Sequence, residues 1–95
     1  LEVGAGIGAN TELLLDQNNG VNEWICIEPD ENLANQIIQN INPSYKSKVQ
    51  VKNGFLKNYD CSEKFDTILY IDVIEHINDD LNEIFRMANM LVTAI

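Results

Sequence analysis

Apolar and polar positions along this chain switch repeatedly between a period near two and a period near 3.6, and the switches divide it into strand-then-helix units. Leu1 to Val3 closes an apolar run that breaks at a glycine-rich turn. Helical spacing from about Asn10 to Asn18 predicts a first helix, with Asn10 as its N-cap and Gly20 where a helix-ending glycine belongs. Glu23 to Ile27 is a short continuous apolar run, which predicts a buried second strand. From about Glu31 to Ile41, the residues Leu33, Ala34, Ile37, Ile38 and Ile41 recur at helical spacing behind Asp30, a suitable N-cap, and Pro43 ends that helix. Val49 to Val51 predicts a third strand and Phe65 to Ile71 a fourth. A third long helix is predicted from Leu81 to about Val92, with Leu81, Ile84, Phe85, Ala88, Leu91 and Val92 turned inward.

Strands that alternate with helices imply an α/β sandwich whose parallel sheet is covered on both faces. Right-handed crossovers place these strands in the order 3-2-1-4, and the strand order then reverses between strands 1 and 4. A ligand crevice is expected there, outside the carboxyl ends of the strands. The chain begins inside its first strand and stops where a fifth should follow. Residues 1–95 are therefore expected to be the ligand-binding half of a larger domain.

Candidate chemistry concentrates in the turns at those strand ends. Gly4, Gly6 and Gly8 follow strand 1, and a turn built from them lets bare backbone approach a ligand closely. Glu2 stands two residues before the first of these glycines. A carboxylate beside the turn attracts an ammonium or a sulfonium and repels a pyrophosphate. Glu28 closes strand 2, twenty residues after Gly8, which is the position from which an acid accepts hydrogen bonds from ribose hydroxyls. The glycine pattern by itself also satisfies a dinucleotide fingerprint, because Ala9 can stand for the third glycine. A nicotinamide-dependent oxidoreductase is accordingly one alternative.

The fourth apolar run separates these alternatives. Phe65-Asp66 leads through Tyr70 and Ile71 into Asp72-Val-Ile-Glu-His-Ile77, and together with Glu2, the three glycines and Ile27-Glu28-Pro29-Asp30 it resembles class I S-adenosylmethionine-dependent methyltransferases of the small-molecule type. The resemblance implies a Rossmann-like three-layer fold, S-adenosylmethionine as cofactor and a small-molecule acceptor. The turn sequence and the segment Tyr70 to Asp80 resemble enzymes that modify glycans or lipids, which implies a sugar- or lipid-linked acceptor. It further implies that Glu2 neighbours the methionine moiety, that Pro29 packs on the adenine and that Gly54 and Phe55 lie beside the base. Phe55 is a departure, since such enzymes often carry an acid there to meet the adenine amino group; a binding module without catalysis is the second alternative. Asp72 is expected at the rim, orienting the cofactor amino group, or else capping the following turn. His76, the one histidine, is expected at the mouth of the site, either as general base for an acceptor hydroxyl or as a structural hydrogen-bonding group. No metal is required.

Composition narrows the partners further. Six basic against fifteen acidic side chains give a formal charge of -9, which argues against a nucleic-acid-binding face. There is no apolar run long enough for a membrane span and no signal-peptide pattern, so a cytoplasmic protein is expected. Cys26 and Cys61 lack the paired spacing of a zinc or redox motif and are expected to be reduced structural cysteines.

Overall fold

A computed structural model of the chain describes residues 1–59, 62–71, 73, 77 and 79–91. In chain order these form β1 (Glu2–Val3), α1 (Ala9–Gln17), β2 (Trp24–Glu28), α2 (Glu31–Asn40), β3 (Val49–Asn53), β4 (Leu69–Tyr70) and α3 (Asp80–Ala88). The sheet has the order β3-β2-β1-β4, and every pairing in it is parallel. This is the expected topology.

β2 is the central plank. All five of its residues are buried, as befits a strand covered on both faces. It pairs with β3 over five positions, from Trp24 opposite Val49 to Glu28 opposite Asn53. Alternation along the strands then splits the core in two. Val3, Ile25 and Ile27 pack with Leu56 and Met90 on the α3 side. Trp24 and Cys26 pack with Ala5, Leu15, Ile37 and Ile41 on the side of α1 and α2. Helix, sheet and helix thus make three layers.

The helix ends show which local signals prevailed. Asp30 caps α2 as expected, its Oδ1 accepting from the backbone N–H of Asn32 at 2.9 Å and of Leu33 at 3.1 Å. Pro43 opens a short 3-10 turn, Pro43–Tyr45, after the helix has closed. For α1 the sequence expectation needs correction, because the N-cap is Gly8 and Asn10 lies inside the helix. The turn makes this necessary: Gly8 has φ +87°, and its N–H is already held by the Ala5 carbonyl at 3.0 Å, so the helix starts directly from the glycine.

Two further boundaries differ from the sequence reading. β4 is confined to Leu69 and Tyr70, because β1 offers only Glu2 and Val3 as partners; Phe65 instead bridges Leu91. In α3 the residues Leu81, Ile84 and Phe85 face outward and are exposed, not inward. The helix is rotated by two contacts. Tyr70 donates its hydroxyl to Glu83 Oε2 at 2.7 Å, and Met87 and Met90 fill the core one turn later. Val92 lies outside the described residues.

Cys26 is fully buried, and burial pushes its thiol up to about 11, with the hydrogen bond to the Thr11 hydroxyl acting in the opposite direction. Thiolate is the reactive form, so Cys26 should stay inert near neutral pH. Brief iodoacetamide treatment at pH 8 followed by peptide mapping should alkylate Cys26 only after denaturant is added. Alkylation in the native protein would contradict this packing. Cys61 lies outside the described residues.

Candidate functional site

The turn after β1 is locked by the residue at the end of β2. Glu28 is buried, and its carboxylate accepts from two backbone donors: Gly6 N–H to Oε1 at 2.8 Å and Asp30 N–H to Oε2 at 2.8 Å. One side chain therefore joins the glycine turn to the start of α2. A carboxylate presents about four lone-pair sites. After these two bonds, acceptor capacity remains on both oxygens.

Gly4 sets how closely the next loop can approach. Its φ is +73°, and a Cβ built there would lie 2.6 Å from Val73 Cγ2. Only glycine satisfies both the dihedral and the contact. Its N–H is bonded to the Ile27 carbonyl at 2.7 Å, which pins the turn against β2. At the far end of the turn, a Cβ on Gly8 would sit 3.2 Å from Ile37, so α2 packs directly on the turn backbone.

A hollow of about 540 Å3 opens beside this turn, within the range taken by small-molecule ligands. Gly4, Glu28, Pro29, Gly54 and Phe55, all named from sequence, line it together with Val3, Ile27 and Val73. Asn53 holds the rim together, its amide Nδ2 donating to the carbonyls of Glu28 at 3.0 Å and Pro29 at 2.9 Å. That clamp was not anticipated from sequence. An asparagine ending a strand just before a glycine was the available signal.

Not every expected residue reaches the hollow. Glu2 is 2% exposed, does not line it, and directs its carboxylate into the layer beneath α1. There Oε1 accepts from the Thr11 hydroxyl and from Trp24 Nε1 at 3.2 Å, with Cys26 Sγ at 3.8 Å. Strand alternation is the reason: Val3 faces the hollow, so its neighbour Glu2 faces the other side. The expectation that Glu2 and Glu28 flank one hollow is thus met by Glu28 alone. Gly6 serves through its N–H, whereas Gly8 lines a smaller depression with Ile7, Glu12 and Ile37. Asp72 and His76 lie outside the described residues.

The opposite wall was missed at the sequence level. Asp79, Asn82, Glu83 and Arg86 line it from α3 and its N-cap. Their spacing puts them on one face of a helix, which is a readable signal. It went unread because the neighbouring apolar stripe was taken to face inward. Burial and the bond to Glu83 raise Tyr70 well above the ordinary phenol range, so the pair stays a phenol donating to the carboxylate.

With this geometry in place, the chain can be set beside known proteins. A family model described as "Methyltransferase domain" matches residues 1–94. Among solved structures, the StiE O-MT superposes with a TM-score of 0.84 at 16% identity, covering 97% of this chain and 33% of that one. The plantazolicin methyltransferase BpumL, solved with a triazolic desmethylPZN analog and SAH, gives 0.80 at 17% identity, covering 95% of this chain and 33% of that one. The methyltransferase domain of bacterial CtHen1-C gives 0.69 at 17% identity, covering 98% and 49% respectively. This chain therefore spans from about a third to about half the length of these structures. No curated protein matches it significantly. Among the described residues, no helix is long and apolar enough to cross a membrane.

Proposed function

The chain belongs to the methyltransferase domain family, and on that premise we propose that it forms the cofactor-binding half of an S-adenosylmethionine-dependent enzyme that methylates a small-molecule acceptor. The observation that carries this reading is the bond from Gly6 N–H to Glu28 Oε1. In a dinucleotide site, the amides of this turn are directed at a pyrophosphate. Here the amide is bonded to a carboxylate. A pyrophosphate would have to displace this bond to use the Gly6 amide, whereas a phosphate-free nucleoside leaves it in place and meets the carboxylate with its ribose hydroxyls.

The residues present fit such a ligand. Glu28 keeps acceptor capacity for the ribose hydroxyls, Pro29 and Gly54 line the hollow with it, and Gly4 lets the loop at Val73 close against the turn. When bound, S-adenosylmethionine supplies a methyl group already activated by its sulfonium. The chain's own contribution is then alignment, which recovers the entropy advantage of an intramolecular reaction. Gly4 and Glu28 fix the nucleoside end so that it cannot slide along the crevice. His76 is the proposed base for an acceptor hydroxyl, and Asp72 the proposed partner of the cofactor's amino group.

The acidic balance of the chain supports a small acceptor over a nucleic acid, since six basic residues against fifteen acidic ones leave little to neutralise phosphates. Sugar- and lipid-linked small molecules are the first acceptors to screen. Calorimetry on the full-length protein with S-adenosylmethionine, S-adenosylhomocysteine and NAD tests the cofactor assignment. Binding of the first two without NAD is the expected result, and binding of NAD alone would overturn it.

A further inference from the structure

We propose that Glu83, held by the Tyr70 hydroxyl, is the carboxylate that meets the positive charge at the cofactor's sulfur, so that the hollow favours S-adenosylmethionine over S-adenosylhomocysteine, whose sulfur is a neutral thioether. This rests on the hollow being the adenosylmethionine site. The order of the strands sets the direction in which the cofactor lies. Gly54 follows β3, Glu28 ends β2 and Gly4 follows β1, and all three line the hollow. With the ribose at Glu28 and the base toward Gly54, the sulfur end lies toward β1 and β4.

Glu83 is tied to that side of the hollow. Tyr70 pairs with Val3 in the sheet, one residue before Gly4, and packs against the same core layer as Val3. Its hydroxyl donates to Glu83 Oε2 at 2.7 Å, so the carboxylate is anchored from β4. Tyr70 stays a neutral donor, because burial and Glu83 hold it well above the ordinary phenol range. Glu83 is 7% exposed and lines the hollow, which keeps most water away from a charge that faces the ligand. Among the described residues no donor meets its Oε1. One oxygen is fixed and the other is left to the ligand.

Charge decides what this carboxylate distinguishes. Attraction between opposite charges strengthens as water is excluded. S-adenosylmethionine and S-adenosylhomocysteine share base, ribose, ammonium and carboxylate, and differ in the methyl group that makes the sulfur cationic. Arg86, three residues on, lines the same wall and opposes a cation, but Asp79 and Glu83 leave that wall with two carboxylates against one guanidinium. Glu2, expected from sequence beside the methionine moiety, is engaged beneath α1 instead. The attraction is already complete when the cofactor binds. It therefore selects the methyl donor over the spent product and does not itself speed methyl transfer.

Calorimetry on the full-length protein with S-adenosylmethionine and S-adenosylhomocysteine tests this directly. Glu83→Gln keeps an oxygen for the Tyr70 hydroxyl and removes the charge. It is expected to weaken S-adenosylmethionine about tenfold and S-adenosylhomocysteine by less than about threefold, as loss of one partly screened charge pair implies. Tyr70→Phe keeps the charge but releases its position, so the ratio of the two dissociation constants should fall between those of the wild type and Glu83→Gln. A merely structural role for either residue would weaken both ligands together and leave that ratio unchanged. Equal weakening of both ligands in Glu83→Gln, or unchanged binding of S-adenosylmethionine, would overturn the proposal while leaving the cofactor assignment intact. Should Glu83→Gln fail to fold by circular dichroism, an unchanged ratio in Tyr70→Phe overturns it equally. Failure of the wild type to bind either compound would instead overturn the cofactor assignment and this proposal with it.

Discussion

Replacing Glu28 by Ala is expected to raise the dissociation constant of S-adenosylhomocysteine about a hundredfold. The carboxylate does two jobs at once. It holds Gly6 N–H and Asp30 N–H, each at 2.8 Å, and in the proposed site its remaining lone pairs would accept from the ribose hydroxyls. Hydrogen bonds to a charged group contribute roughly 1.5–3 kcal/mol each, and every 1.4 kcal/mol is about tenfold in affinity. Losing the ribose contacts accounts for about two orders of magnitude. Losing the backbone clamp also loosens the turn, so stability should fall by about 3–6 kcal/mol in urea unfolding, as two such bonds imply. Glu28→Gln keeps one acceptor oxygen but turns a second group into a donor facing other donors, and it should fall between wild type and Glu28→Ala. Calorimetry distinguishes these outcomes. An affinity for Glu28→Ala within threefold of wild type would remove the residue from the site.

Gly4→Ala should cost more stability than Ala at any other described glycine. Two penalties coincide at this position. A φ of +73° costs a residue with a Cβ about 1–2 kcal/mol. The added carbon would also lie 2.6 Å from Val73 Cγ2 and 2.9 Å from Val73 Cγ1, an overpacking that typically costs about 1–3 kcal/mol. The sum, about 3 kcal/mol, is a large share of what holds an ordinary domain together. Urea denaturation of the full-length protein measures it. Adding Val73→Ala should recover the steric part and leave the dihedral part, so rescue is expected to be partial. Complete rescue would show that the backbone conformation costs nothing, and no rescue would show that Val73 does not press on the turn.

These two residues also show how much the sequence disclosed. β2 and α2 were readable because a continuous apolar run and a capped helical repeat each have one interpretation, and the structure places Asp30 as the cap. The glycine turn and Glu28 were readable because their spacing is dictated by the crossover from one parallel strand to the next. Glu2 was misjudged for a local reason. Standing beside the turn in sequence suggested standing beside the ligand, yet Val3 takes the side of the hollow and alternation sends Glu2 beneath α1, against Thr11 and Trp24.

The polar face of α3 was legible in the sequence, but the rotation that turns it toward the sheet was not. Its sequence carries an apolar stripe, Leu81, Ile84 and Phe85, next to a polar one, Asp79, Asn82, Glu83 and Arg86, and periodicity alone cannot say which stripe docks. Two tertiary contacts settle it here: the Tyr70 hydroxyl holds Glu83 toward the sheet, and Met87 and Met90 fill the core. The hollow inherits its charged wall from that rotation. β4 illustrates the same point, because a seven-residue apolar run pairs only where a partner strand runs beside it.

The central claim is that the glycine turn, locked by Glu28, seats a cationic, phosphate-free nucleoside. A crystal structure of the full-length protein with S-adenosylhomocysteine tests it most directly. The ribose hydroxyls should lie within hydrogen-bond distance of both Glu28 oxygens, with the base against Pro29 and Phe55 and the sulfur end beside Gly4. A nucleoside found instead in the smaller depression between Gly8 and Ile37, or one whose ribose makes no contact with Glu28, would contradict the account.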